Sequence, residues 1–280
     1  MAWNIGAHDE AGLWVGGENI ITRDLTFFVD PGNSKCYNNG SSTATVTDLA
    51  QGEAMTKSGA GWGEYDGGVG WTFDGTNDHI TSDSNVTVSN HVTGNSTTAG
   101  TFTVCLWMRT GTNYVGTSGG NGPMYYLGGY TLSLFFQNGD LVLFAADDDG
   151  GSSEECEDGS PTTDLEGDDW YFICGQMNNT TSTSGDQIGG TSALYHGKCD
   201  SDGQIELLTV VAEKAIDLGG GSFEFRNTNV PIELGQLSGN SWFFNGELGP
   251  VWTYNRCLTE DERVLNYNAF RHRYYTSAIG

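Results

Sequence analysis

Basic residues are scarce in this sequence. Only 11 lysines and arginines stand against 36 aspartates and glutamates, which gives a formal net charge of −25 at pH 7. A surface of that sign repels phosphate backbones and anionic lipid headgroups. No apolar run reaches the eighteen residues of a membrane-spanning helix, and the first ten residues lack the basic and apolar segments of a secretory signal. We therefore expect no nucleic-acid partner and no membrane partner.

The motifs of the common enzyme classes are also missing. The chain has no G-x-S-x-G nucleophile motif, no H-E-x-x-H zinc motif and no G-x-x-x-x-G-K-[ST] phosphate loop. Its nearest approach to paired carboxylates is residues 154–158, which we predict to form a Gly- and Ser-rich loop. Such a loop would not hold two carboxyl groups at the roughly 5–10 Å that glycoside hydrolysis needs. We predict a protein that is not an enzyme and requires no cofactor; a glycoside hydrolase or lyase with a cryptic site is the alternative.

Glycine and aromatic residues are abundant instead. The 280 residues include 42 glycines, 8 tryptophans, 12 tyrosines and 13 phenylalanines. Aromatic residues favour strands and glycine suits tight turns, so this composition is typical of many short strands. Helical bundles are excluded, because runs of Ala, Lys and Glu are scarce. About a dozen short apolar segments separated by turn signals predict an all-β sandwich or barrel.

The clearest predicted strand is Phe102–Arg109, whose two faces both carry bulky residues, as near the centre of a two-layer sandwich. Asn138-Gly139 predicts a two-residue hairpin. Residues 38–70 are predicted to be loop-like. The other predicted strands are Leu25–Val29, Trp71–Phe73, His79–Ile80, Pro123–Leu127, Leu132–Phe136, Leu141–Ala145, Trp170–Met177, Ala193–His196, Ile205–Val211, Phe223–Phe225, Ile232–Leu234 and Val251–Tyr254.

One helix is predicted near the end of the chain. Thr259 followed by Glu262 forms a capping box, in which each residue bonds the backbone N–H of the other. Val264, Leu265 and Ala269 supply a modest apolar face. We expect this helix to pack as a lid on the edge of the sandwich.

Residues 1–23 are mixed and Gly-rich, and we predict that they form an N-terminal arm or lead-in segment before one domain over residues 24–280. No internal repeat or linker divides the rest of the chain.

The six cysteines form no C-x-x-C pair and no metal-like spacing. Cys105 and Cys174 lie in apolar strands, which predicts buried, reduced thiols. Cys156 and Cys199 lie in polar segments and could pair with each other. The spacing favours six free thiols but leaves that pairing open.

Six short sequence blocks follow one another along the chain. They are W-T-F-D-G-T-N-D-H-I (71–80), F-T-V-C-L-W-M (102–108), D-W-Y-F (169–172), A-L-Y-H-G-K (193–198), I-E-L-G (232–235) with F-N-G-E-L-G-P-V-W-T-Y-N-R (244–256), and L-T-E-D-E (258–262) with N-Y-N-A (266–269). Together they resemble the LamG-like jelly-roll family of the concanavalin A-like lectin/glucanase superfamily, over about residues 24–275. The resemblance implies a two-sheet antiparallel jelly-roll sandwich with one short C-terminal helix.

Two of the segments, F-V-D-P-G-N-S-K (28–35) and N-Y-N-A-F-R-H-R-Y (266–274), are similar to stand-alone LamG-like proteins of tailed phages, including those of marine cyanobacteria. This resemblance implies a structural part of a virion surface: a capsid decoration, fibre or adhesin component bound to other capsid or tail proteins. In that interpretation Trp3, Leu13, Trp14 and Val15 of the arm contact the partner. A homo-oligomer, with a trimer as our guess, would suit such a protein.

The acidic segment between Asp147 and Asp158 is a candidate calcium site. Carboxylate oxygens on a flexible, Gly-containing segment are ligands that Ca²⁺ accepts. The candidate ligands are Asp147, Asp149, Glu154, Glu155 and Asp158. Clustered acidic residues are, however, more often a solvated surface.

Glycan binding is the alternative function, as a lectin or adhesin that recognises host surface glycans, with or without calcium, on a virion or on a cell surface. Exposed aromatic rings stack on sugar faces, although most aromatic residues of a sandwich belong to the core. The aromatic residues near predicted loops are Trp62, Tyr65, Tyr114, Tyr125, Tyr126, Tyr130 and Trp242.

Overall fold

The structure is a computed structural model. It describes residues 20–38, 44–65, 68–92, 100–110, 122–128, 132–137, 140–146, 153–157, 165, 169–183, 187–199, 209–217, 229–237 and 242–274. Within this part no helix is long and apolar enough to cross a membrane.

The described chain is built almost entirely from strands. In chain order they are β1 Leu25–Val29, β2 Thr45–Thr47, β3 Ala54–Ser58, β4 Gly61–Tyr65, β5 Gly68–Asp74, β6 His79–Ser82, β7 Val86–Thr87, β8 Thr101–Thr110, β9 Gly122–Leu127, β10 Leu132–Gln137, β11 Asp140–Ala146, β12 Ser153–Glu157, β13 Trp170–Thr183, β14 Gln187–Lys198, β15 Thr209–Asp217, β16 Asn229–Val230, β17 Ile232–Leu234, β18 Gln236–Leu237, β19 Trp242–Phe243 and β20 Asn245–Tyr254. A 3₁₀ turn covers Val88–Asn90, and the helix α1 covers Glu260–Tyr274.

Two eight-stranded antiparallel sheets form the body of the molecule. The first sheet has the order β15-β14-β13-β8-β20-β5-β4, and β1 also pairs with β20. The second sheet has the order β12-β11-β10-β9-β17-β6-β3-β2. Two short ribbons, β16 with β7 and β18 with β19, complete the pairing. The predicted two-sheet antiparallel sandwich with one C-terminal helix is confirmed.

The core lies between the two sheets. Alternate residues of each strand point inward, for example Val104, Leu106 and Met108 of β8 against Leu134 and other inward residues of the second sheet, all fully buried. This layer is the main source of the hydrophobic stabilisation, because buried apolar area drives folding.

The helix covers the outer face of the first sheet. Its buried positions recur at helical spacing and are Arg263, Asn266, Tyr267, Phe270 and Tyr274. They pack on outward residues of β8, β13 and β20, and the Tyr274 ring stacks on Trp107 at 4.6 Å between centroids. The prediction of a lid on the sandwich edge was therefore wrong. The predicted apolar face is wrong for Leu265, which is 42% exposed, whereas Ala269 packs partly buried against this layer; large aromatic and polar side chains supply most of the contact surface.

Polar contacts fasten this helix to distant parts of the chain. Asn266 accepts from the backbone N–H of Ile21 at 2.9 Å and donates to the Tyr254 hydroxyl at 3.0 Å. Arg273 donates to the carboxylate of Asp30, just after β1, at 2.8 Å. Residues 20–23, which we assigned to the arm, thus begin to pack on the sandwich, with Ile20 buried beside the helix.

Two predicted loops contain strands. Residues 38–70 include β2, β3 and β4 and the start of β5, and the acidic segment 147–158 includes β12, which pairs with β11 at the edge of the second sheet. Backbone hydrogen bonds form these pairings, so few apolar residues are needed: one inward residue, Val46, Met55 or Cys156, anchors each of β2, β3 and β12. The backbone of residues 154–157 therefore lies on a strand, not on a loop as predicted. The described strand β15 overlaps the predicted strand Ile205–Val211 from Thr209 onward; residues 205–208 and the predicted strand Phe223–Phe225 lie outside the described residues.

The six cysteines are free thiols. Cys156 lies in the core between the sheets, whereas Cys199 packs at the helix and donates to the carbonyl of Arg271, so the two cannot pair. Cys105 and Cys174 face each other across β8 and β13, with their sulfurs 3.4 Å apart. Burial raises the pKa of the Cys105 thiol well above its ordinary value, which keeps it protonated.

Candidate functional site

Side chains in the strands of the second sheet alternate between the core and the outer face of the sheet. Several of the outward side chains are polar. In β17, Ile232 and Leu234 point into the core and Glu233 lies between them on the opposite face. In β10, Leu132 and Leu134 flank Ser133 in the same way. The short strands and their alternation thus bring polar side chains to one surface.

These residues stand in register across the whole sheet. Pairing across each strand boundary gives one row, which we call the polar row: Thr45, Thr56, Thr81, Glu233, Tyr126, Ser133, Phe144 and Glu155. Seven of the eight residues in these pairings carry a hydrogen-bonding group. With about 4.8 Å between neighbouring strands, the row runs about 34 Å along the sheet.

The centre of the polar row is buried, although it lies outside the core between the sheets. Glu233 is 3% exposed, and Tyr126 and Ser133 are each 1% exposed. Thr81 and Phe144 on either side are half-buried, and Thr56 is exposed. Glutamate and serine are mostly exposed in proteins, so a buried group of this kind requires an explanation.

Hydrogen bonds organise this centre. The amide of Gln236, in β18, donates to Glu233 at 3.2 Å and to the Thr81 hydroxyl at 3.4 Å, and so bridges two members of the row. The hydroxyl of Ser133 is buried and has no hydrogen-bond partner in the part of the chain that the structure describes. An unpaired buried polar group costs about 1–3 kcal/mol.

Aromatic side chains border the row. The ring of Trp242, in β19, lies 6.2 Å from Phe135, which also contacts Phe144 at 6.4 Å between ring centroids. Trp242 and Phe243 are half-buried, and the β18–β19 ribbon lies beside β9. Carboxyl, amide and hydroxyl groups next to aromatic rings form a surface that can bond hydroxyl groups and pack on the apolar face of a ring-shaped ligand.

The row does not have the arrangement of a glycosidase at Glu233. Its two register neighbours are Thr81 and Tyr126, and neither carries a carboxyl group. Glycoside hydrolysis needs two carboxyl groups about 5–10 Å apart. Recognition by hydrogen bonding and packing is what this arrangement can do.

The predicted calcium site is not tested by the structure. Asp147, Asp149 and Asp158 lie outside the described residues, and only the backbone is described at Glu154 and Glu155. Over the described ranges no group of three or more His, Cys, Asp or Glu side chains could hold a metal ion. The arm residues Trp3, Leu13, Trp14 and Val15 also lie outside the described residues, so their partner-binding role stays a prediction.

The predicted aromatic residues fall in different places. Tyr126 and Trp242 lie on the outer face of the second sheet. Tyr125 is in the core between the sheets, and Trp62 packs against Tyr37 and donates to the carbonyl of Pro31. For Tyr65 only the backbone in β4 is described, and Tyr114 and Tyr130 lie outside the described residues.

Sequence reasoning missed Glu233, Ser133, Thr81 and Gln236. The signal for the first two was present: each is the polar residue between two apolar ones in a short strand. What the sequence did not show is the pairing of β17 with β6, about 150 residues earlier in the chain, and with β9, about 105 residues earlier.

The fold defines a class: all-β two-sheet antiparallel sandwiches with one C-terminal helix. Neither a protein-family model nor a curated protein sequence matches the chain. Solved structures match by fold. The binding domain of paraclostridial mosquitocidal protein 1 has a TM-score of 0.56 at 13% sequence identity and covers 89% of this chain and 53% of its own.

Two further similar structures are botulinum neurotoxin binding domains. The binding domain of neurotoxin DC, in complex with SialylT, has a TM-score of 0.56 at 8% identity, covering 88% of this chain and 52% of its own. The serotype D ligand-binding domain, in complex with N-acetylneuraminic acid, has a TM-score of 0.53 at 10% identity, covering 89% and 51%. This chain therefore spans about half the length of the domains it resembles.

Proposed function

We propose that this protein is a non-catalytic carbohydrate-binding module that holds a glycan along the polar row. The observation that carries the proposal is the polar row beside Trp242: from its buried centre at Glu233 the row continues through half-buried Thr81 to exposed Thr56, and the Trp242 ring next to it is half-buried. A sugar offers ring hydroxyls for these groups and an apolar face for Trp242.

The comparisons support a binding role. The three similar structures are binding domains, and two of them were solved with sialylated or sialic-acid ligands. Their similarity to this chain lies in the fold, so the position of the sugar in those domains is not transferred here. The glycan site proposed for this chain rests on its own residues.

The virion interpretation remains a further proposal about where such a module operates. It rests on the resemblance of residues 28–35 and 266–274 to LamG-like phage proteins, whereas the similar structures are toxin domains. Attachment through the arm, oligomerisation as a trimer, a virion or cell-surface location and calcium in the 147–158 segment are proposals of the same kind.

A glycan array probed with the full chain, with and without EDTA, tests the binding function. We expect binding to at least one glycan class. Trp242→Ala should weaken it at least about tenfold, since removing an aromatic anchor costs more than about 1.4 kcal/mol. The control Glu64→Gln changes an exposed residue of β4 in the other sheet and should bind like the native chain.

Absence of binding to every glycan, with a native circular dichroism spectrum, would contradict the proposed function. Binding that Trp242→Ala leaves unchanged would place the site elsewhere on the molecule, and binding lost in EDTA would point to the acidic segment instead.

A further inference from the structure

We infer that the glycan bound along the polar row carries no acidic groups; this inference rests on the proposed function. The polar row lacks the chemistry that holds a sugar carboxylate or sulfate, and its charge is of the wrong sign.

The second sheet is almost free of basic residues. Its eight strands contain no arginine and one lysine, Lys57 of β3. By strand alternation Lys57 lies on the same side as the core residue Met55, opposite Thr56 of the polar row. Its amino group donates to the carbonyl of Ala60. No strand of this sheet therefore brings a lysine or an arginine to the face that carries the row. The one histidine of these strands, His79 of β6, shares that face with Thr81, and its Nδ1 lies 2.8 Å from the carbonyl oxygen of Asn77.

Anionic sugars are recognised through basic groups. Carboxylates and sulfates bind most strongly through charge-assisted hydrogen bonds from arginine or lysine. The row presents Glu233 at its centre instead, and a second carboxylate placed beside a buried carboxyl group is disfavoured. An uncharged sugar carries no such penalty.

Three of the arginines that the structure describes lie on the opposite side of the molecule, where they already contact other side chains. Arg256 bonds Glu262 at 2.7 Å, Arg273 bonds Asp30 at 2.8 Å, and the guanidinium of Arg263 lies over the ring of Tyr195 at 3.8 Å. All three belong to the helix or to the segment leading into it, on the outer face of the first sheet. They cannot assist a ligand on the second sheet.

The net charge of the whole chain also disfavours acidic ligands. A net charge of −25 lowers the local concentration of anionic ligands, and more so at low ionic strength. The serotype D neurotoxin domain was solved with the acidic sugar N-acetylneuraminic acid. The shared fold is thus compatible with a different ligand charge in this chain.

The test compares matched glycans on one array and then in solution: neutral oligosaccharides and their sialylated or sulfated counterparts, with the full chain at 20 mM and 150 mM salt. We expect neutral members to bind at least tenfold more tightly than their acidic counterparts, with a smaller ratio at the higher salt. Equal or tighter binding of the acidic members would overturn this inference and leave the proposed function standing. Binding to neither kind would overturn the proposed function itself.

Glu233→Gln tests the residue that sets the preference. The amide keeps the shape and removes the charge, so the neutral-to-acidic ratio should fall at least threefold relative to the native chain. The matched control Glu64→Gln removes the same charge from the other sheet and should keep the native ratio. If both variants behave alike, overall charge rather than Glu233 sets the preference.

Discussion

At the scale of single residues, the most consequential contact is the ion pair between Asp30 and Arg273. Asp30 is fully buried, and one of its oxygens accepts from Arg273 at 2.8 Å and from the backbone N–H of Gly32 at 2.8 Å. The ion pair joins the turn after β1 to the last turn of the helix, 243 residues apart.

Arg273→Ala should destabilise the protein by about 3–5 kcal/mol, because it leaves the Asp30 carboxylate buried without its partner. Chemical denaturation measures the change. Asn268→Ala, at an exposed position of the same helix, should change the stability by no more than about 0.5 kcal/mol. A loss below about 1 kcal/mol for Arg273→Ala would show that the pair is not an anchor.

At the scale of the element, the helix begins as the sequence predicts. The hydroxyl of Thr259 accepts from the N–H of Glu262 at 3.3 Å, and Glu262 accepts from the N–H of Thr259 at 3.0 Å. Arg256 adds a two-pronged bond to the same carboxylate, at 2.7 and 2.8 Å. The hydrogen bonds from Arg256 lower the pKa of Glu262 to about 2.

This shift predicts how stability depends on pH. Because the folded pKa lies below the ordinary value of 4.5, the Glu262 contribution is present above about pH 4.5 and is lost as the pH falls toward 2. Glu262→Gln should therefore melt below the native protein at pH 7, and the difference should shrink between pH 4.5 and 2. Glu260→Gln, exposed in the same turn, is the control and should show little difference at either pH; a constant gap for Glu262→Gln would contradict the prediction.

The capping box was predictable because it depends on residues three positions apart, whereas the buried face of the helix was not. Local spacing selects Val264, Leu265 and Ala269 as the apolar stripe, yet Asn266 and Arg263 are buried because Tyr254 and Leu258 offer them hydrogen-bond partners. The strands show the same contrast. Leu25–Val29 and Ile232–Leu234 have the predicted bounds, but weakly apolar strands such as β12 form through a neighbouring backbone that local sequence does not reveal.

At the scale of the whole molecule, two apolar layers share the same strands. Strands β8, β13 and β20 send one set of side chains into the core between the sheets and the other set beneath the helix. Leu106 and Trp107, neighbours in β8, belong to the two layers and are both fully buried. Neither layer can open without disturbing strands that hold the other.

We therefore expect one cooperative unfolding transition. Leu106→Ala in the inner layer should cost about 2–5 kcal/mol and Phe270→Ala in the outer layer about 3–5 kcal/mol, and both should shift that same transition. Circular dichroism and tryptophan fluorescence measure it. A separate early transition in Phe270→Ala alone would show that the helix layer is independent.

The polar row depends on the order of the strands in the whole sheet, which is why sequence reasoning did not find it. Strand alternation places Glu233 and Ser133 outward, but their meeting depends on β9 lying between β17 and β10. Local composition suggested the acidic segment and the scattered aromatic residues as candidates, because the strand order was not known from the sequence. Of them, Tyr126 and Glu155 occupy positions in the row, and Trp242 borders it.

The position of β20 has a consequence for synthesis. This strand lies between β8 on one side and β5 and β1 on the other, so the middle of the first sheet is supplied by residues 245–254. A chain emerging from the ribosome therefore leaves the edges of β1, β5 and β8 unpaired until residues 245–254 have been translated. Exposed edges of this kind invite pairing with other chains, and chaperone protection during translation would matter more for this molecule than for one whose central strand is made first.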